Sequence, residues 1–189
     1  ELDEWVQQMD QRFAEDRQDS LTFAVAKPIS AKSTSGAVLN IEEDGSVLTT
    51  GTVADKDKYT LVFEMPASGL SGIKLEALPH ETLPSKGPGR PPNGNFVLSE
   101  LRAYAGKDAG FKTDYEPIKF SNAEADFSQN NFSPAGALEA SPKSGWAISP
   151  KMGKPHEWLC LAEPVPVPVP AAENRQFLQI VLDQQYGGK

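Results

Sequence analysis

From residue 21 onward the chain alternates hydrophobic and polar positions with a period of two, in short runs broken by turn chemistry. The runs predict strands at 21–26, 37–41, 46–49, 59–65, 72–77, 96–104, 117–120, 146–149, 157–161 and 176–183. The separators include Glu-Asp-Gly at 43–45, Ser-Gly at 68–69 and Pro-Asn-Gly at 92–94, residue types that tolerate positive φ or preset a bend. Many short strands without a strand–helix alternation predict an all-β, antiparallel β-sandwich. Before residue 20 the period lengthens. Leu2, Trp5, Val6, Met9 and Phe13 recur at helical spacing, which predicts a short amphipathic helix over roughly the first 17 residues. The division that follows is a helix and linker at 1–19 and a β-sandwich domain at 20–189.

Composition adjusts this picture in three ways. A chain of 189 residues with 39% hydrophobic positions has the material for one domain core, and 16 Pro with 15 Gly fit many short elements joined by turns. The net charge of −8, with no Lys/Arg cluster, argues against nucleic acid and against an anionic membrane surface. No apolar run approaches the ~20 residues that span a bilayer, so no membrane insertion is expected. The single cysteine, Cys160, lies in the alternating run Trp-Leu-Cys-Leu and reads as a buried core thiol; one cysteine forms no intrachain disulfide. The chain begins at Glu1 without Met and reads as a segment of something longer. Pro164-Val-Pro-Val-Pro-Val-Pro170 reads as a stiff extended loop, because alternating prolines withhold backbone donors.

Candidate chemistry concentrates in one loop. Residues 87–100, Gly-Pro-Gly-Arg-Pro-Pro-Asn-Gly-Asn-Phe-Val-Leu-Ser-Glu, form a turn-rich stretch that releases into an apolar strand. It holds no nucleophile, base or metal cluster. Arg90, Asn93 and Asn95 instead offer hydrogen-bond donors and acceptors on a loop carried by a sheet, where recognition groups usually sit. His80 and His156 stand alone, outside any HExxH or nucleophile-elbow pattern, and read as surface or turn residues. An enzyme would need one of them to meet carboxylates in a cleft. Phosphate-cradling glycine patterns are absent. Among the aromatics, Trp146, which follows Ser-Gly, and Tyr115, in a polar stretch, are the ones expected to face outward. Asp126 and Glu139 are candidate oxygen donors for a structural calcium ion.

Two resemblances rest on these residues. Asp44-Gly-Ser-Val-Leu, Gly72-Ile-Lys-Leu-Glu, Gly87-Pro-Gly-Arg with Asn93-Gly-Asn-Phe-Val-Leu-Ser-Glu, Gly145-Trp-Ala-Ile and Leu182-Asp-Gln-Gln-Tyr-Gly together resemble the β-domain of large exported planctomycete proteins associated with a cytochrome c-like segment. That resemblance implies an extracytoplasmic setting and no settled chemistry. Ala123-Glu-Ala-Asp-Phe-Ser, Ala137-Leu-Glu and Gly145-Trp, with 95–104, resemble discoidin-like, galactose-binding-like jelly rolls. Many such domains bind glycans through loops at one end and hold a structural calcium. Here Glu139-Ala140 stands where an Asp-Gly usually follows, a departure that weakens the calcium expectation.

The resulting expectation is a jelly-roll sandwich acting as a non-catalytic carbohydrate-binding module within a larger exported protein. A sugar face would stack on Trp146 or Tyr115 while Arg90, Asn93 and Asn95 fix hydroxyls. The alternative is a structural or docking module that joins the cytochrome-like and other domains of its parent.

Overall fold

The computed structural model describes residues 23–141, 143–163 and 176–186. Its strands, in chain order, are β1 (Ser30–Ser33), β2 (Ala37–Ile41), β3 (Val47–Gly51), β4 (Asp57–Glu64), β5 (Gly72–Ala77), β6 (Val97–Leu98), β7 (Glu100–Gly106), β8 (Tyr115–Ile118), β9 (Phe120–Ala125), β10 (Trp146–Ala147), β11 (His156–Ala162) and β12 (Phe177–Gln184). Two 3₁₀ turns, η1 (Pro84–Lys86) and η2 (Pro134–Leu138), complete the list. Five strands form an antiparallel sheet in the order β1-β4-β12-β7-β8, and three form a second sheet, β5-β11-β9. The pairs β2-β3 and β6-β10 stand as separate two-stranded ladders. The described residues are all-β. The predicted N-terminal helix and the Pro-Val segment lie outside the described residues.

Alternation along the strands explains the layering. In β11, His156, Trp158 and Cys160 are buried while Glu157 is exposed, the period-two signature of one covered face. One hydrophobic cluster joins Phe63, Leu101, Ala103, Ile118, Leu178 and Ile180 of the five-stranded sheet to Ile73, Trp158 and Cys160 of the three-stranded one. Trp146, Ile148, Leu98 and Ala137 extend the same cluster. Both buried tryptophans find an acceptor for the indole N–H: Trp146 donates to the Phe127 carbonyl (2.8 Å) and Trp158 to the Pro134 carbonyl (3.0 Å). Each buries a large apolar ring without stranding its donor. Cys160 is fully buried, and burial pushes its thiol up to about 12, so it stays protonated as the core reading expects.

Two predicted strands each proved to be two. The run 96–104 divides at Ser99, with β6 pairing β10 on one side and β7 joining the main sheet on the other. Ser99 is buried at the crossing; its N–H donates to the Asp183 carbonyl and its hydroxyl accepts from the Gln185 N–H. Likewise 117–120 splits between β8 and β9, which belong to different sheets. Period-two patterning reports which face is covered and is blind to a change of partner between one pair of residues and the next. The described part of 21–26 is not a strand, and β1 begins only at Ser30.

Candidate functional site

The loop at 87–96 is folded on itself. The Gly89 N–H donates to the Gly94 carbonyl (2.9 Å), and the Gly94 N–H to the Pro91 carbonyl (2.8 Å). Asn93 turns its side-chain oxygen to the Asn95 N–H (3.1 Å), a local Asx turn. Asn95 in turn clasps two other segments: its amide donates to Gln129 (3.0 Å), and its oxygen accepts the Ile148 N–H (3.1 Å). The two asparagines expected to hold ligand hydroxyls therefore spend these groups on the fold. Trp146 is corrected outright. It is 0% exposed and packs edge-on against Phe96 at 5.0 Å, so it cannot offer a face to a sugar. The Ser-Gly that precedes it led to the outward expectation, but Gly145 there lets the backbone pass close against Leu98 and Ser99, where a side chain would not fit.

Arg90 stands differently. Its Nη1 donates to the Thr52 carbonyl and its Nη2 to the Gly51 carbonyl, both at 2.6 Å, so the guanidinium fork bridges the loop to the end of β3. The same residue lines an open cleft where the 53–55 segment, Asp57, Tyr59, Phe96 and Tyr186 converge. The cavity is small, about 60 Å³. Tyr186 is 48% exposed and is steadied from one side by an edge-on contact with Phe132 at 5.2 Å. Asp55 is exposed beside it. Phe96 packs on the buried Trp146, which gives the cleft a rigid base.

Asp57, at the start of β4, is buried and heavily solvated by protein donors. It accepts from the Ser33 hydroxyl (2.7 and 2.9 Å), the Thr34 hydroxyl (3.2 Å), the Ser35 N–H (3.0 Å), the Lys58 N–H (2.7 Å) and the Ser35 hydroxyl. Burial pushes its carboxyl up, yet the hydrogen bonds from Ser35, Ser33 and the two N–H groups outweigh burial and hold it below 3.8, its ordinary value. A carboxylate depressed in the fold stabilises it above the unfolded value, and that contribution is lost as pH falls through the lower folded value. Urea unfolding followed below pH 4 should therefore show a loss of stability that Asp57→Asn lacks. At pH 7 the same variant should be less stable by about 1–3 kcal/mol, because buried donors lose their acceptor. Equal acid profiles for the two proteins would refute the assignment.

The other predicted residues lie elsewhere. Tyr115 is 47% exposed, as expected, and packs edge-on against Tyr104 at 5.6 Å. It pairs across the ladder with Gly106, which pairs with Phe177, whereas the cleft adjoins Gln184 at the other end of β12. At ~3.3 Å per residue these ends stand about 23 Å apart, so Tyr115 and Arg90 do not share a site. Asp126 accepts the Glu157 N–H (2.9 Å) and faces His156 Nδ1 (2.8 Å). Glu139 is exposed after η2, and among the described residues no group of three or more His, Cys, Asp or Glu is placed to hold a metal ion.

His156 is corrected from surface to core. It is 3% exposed, with Nε2 on the Lys151 carbonyl (2.9 Å), so both ring nitrogens are engaged within the protein. His80 is exposed and bonded to Thr82 (2.8 Å).

Sequence reasoning missed Asp55, Tyr59 and Tyr186 as cleft residues. The available signal was positional: Tyr186 lies three residues past the end of the last predicted strand, where a side chain leaves the alternating pattern and joins a loop. Among the described residues no helix is long and apolar enough to cross a membrane. No protein-family model, curated protein or solved structure matches this chain.

Proposed function

We propose that this chain is a non-catalytic carbohydrate-binding module of a larger exported protein, built as a jelly-roll sandwich. The observation that carries the reading is a half-exposed aromatic, Tyr186, beside Arg90 and Asp55 in an open cleft. A pyranose presents an apolar C–H face, which stacks on an aromatic ring, and a rim of hydroxyls, which seek polar neighbours. The cleft supplies both at the end of a sandwich where loops converge. The five-plus-three division of strands supports the jelly roll, since such folds use eight strands in two sheets. The chain also passes between those sheets from β4 to β5, from β8 to β9 and from β11 to β12.

A small, solvent-wet site of this kind should bind weakly, at micromolar to millimolar dissociation constants, or about −4 to −8 kcal/mol. Affinity electrophoresis and a glycan array test it. Tyr186→Ala should weaken binding tenfold or more while the unfolding temperature moves by only a few degrees. Chelator should leave binding unchanged, because Asp126 is committed to His156 and the Glu157 N–H. Silence of the wild-type protein across neutral glycans would sink the reading.

A second reading, a docking module for other domains of the parent, is favoured by a different observation. Val25 is 82% exposed and approaches Gly45 in the β2-β3 turn, and Val38 on β2 is 53% exposed. Isolated domains of the parent titrated against this one would decide for it if Val38→Ser abolished a measured association.

A further inference from the structure

Arg90 and Asp57 stand at opposite roots of the β2-β3 hairpin. Among the described residues the strand pair is laddered only to itself, and a lone two-stranded ladder is marginal in water. Its entry, the turn at 33–35, is fastened to Asp57 through Ser33, Thr34 and Ser35. Ser33 tightens that turn further by accepting the N–H groups of Ser35 and Ala37, both at 3.1 Å. Its exit is fastened to Arg90 through the carbonyls of Gly51 and Thr52. The segment 53–55, which forms a wall of the cleft, therefore hangs between Thr52, gripped by Arg90, and Asp57, gripped by the entry turn.

We infer that Arg90 and Asp57 are the positioning residues of this cleft. They fix the hairpin at both roots and hold the 53–55 wall, leaving Asp55 and Tyr186 to meet the ligand. The ligand class follows, resting on the glycan reading above. Two of the five N–H donors of Arg90 are spent on backbone carbonyls, and the cleft sets two acidic side chains, Asp55 and Asp57, against that one guanidinium. Such a wall receives hydroxyl donors and repels carboxylates, so the site takes neutral sugars and refuses uronates. The role of Arg90 also depends on shape. A lysine keeps the charge but has no fork with which to hold two carbonyls in fixed geometry.

Hydrogen exchange read by mass spectrometry on the free protein tests the pinning. Arg90→Ala and Arg90→Lys should both raise exchange in segment 46–56 by tenfold or more, with β7, β11 and β12 unchanged. Asp57→Asn should do the same at 33–41. Wild-type exchange in Arg90→Lys, or exchange rising across both sheets in the Arg90 variants, would overturn the inference. Cellohexaose and oligogalacturonate then test the ligand class. Binding of the neutral sugar alone, with affinity lost in both Arg90 variants, is expected; preference for the uronate would overturn it. Failure of both sugars to bind the wild type would remove the ligand class together with the glycan reading, while exchange in the free protein decides the pinning separately.

Discussion

Gly89→Ala should lower stability by about 3 kcal/mol, the upper end of what overpacking costs, and lower the unfolding temperature by roughly 6–12 °C. A methyl group at this position would overlap the carbonyl oxygen and carbon of Asn95, with the Gly94 oxygen 2.9 Å away. All of these are backbone atoms, and that backbone has nowhere to go. Asn95 is fastened to Ile148 and Gln129, and Gly94 accepts the hydrogen bond from Gly89 itself. Gly36→Ala is the matched control. Gly36 also lies in a turn, at φ +86°, but an added methyl group meets nothing within 4 Å. There the expected loss is only the left-handed conformational penalty, about 1 kcal/mol. Chemical denaturation of both variants measures the difference. Equal losses would show that the loop yields and that its close approach carries no stability.

Trp146→Ala should cost about 3–5 kcal/mol, the range for removing a large aromatic from a core. The ring is fully buried, donates to the Phe127 carbonyl and supports Phe96 under the cleft. Its loss opens a cavity, strands an acceptor and removes the base of the site in one step. The variant should therefore lose thermal stability and sugar binding together, whereas Tyr186→Ala loses binding with the fold retained. That contrast separates a residue that builds the site from one that touches the ligand. A Trp146→Ala protein with wild-type stability and no binding would return Trp146 to the role of platform.

The fate of particular residues shows what a sequence can carry. The strands at 37–41, 72–77 and 157–161 were legible almost residue for residue, because burial of one face imposes a period that survives in the order of residues. Cys160 was legible for the same reason. Tyr115 was correctly expected to be exposed, yet nothing in its neighbours revealed that it lies at the far end of the sheet from Arg90. Trp146 and His156 were misread because each sits among polar or small residues, while the contacts that bury them come from distant segments: Phe96 and Phe127 for Trp146, and Asp126 for His156. The polarity of Asn93, Asn95 and Arg90 was plain, but its destination was not. Hydrogen bonds that look available for a ligand in one dimension were already taken by the protein in three.

The sequence by itself determined the β character of the described residues, the positions of several turns and the single core thiol. These follow from local rules: alternation across a pleat, backbone freedom at glycine, and the exclusion of apolar surface from water. Only the tertiary structure decided that Ser99 is a crossing between sheets, that Asp57 and Arg90 fasten one hairpin at its two roots, and that Tyr186 opens beside them. Those facts depend on pairings between residues tens of positions apart. Register between strands, unlike the period within one, is settled by the whole set of contacts at once.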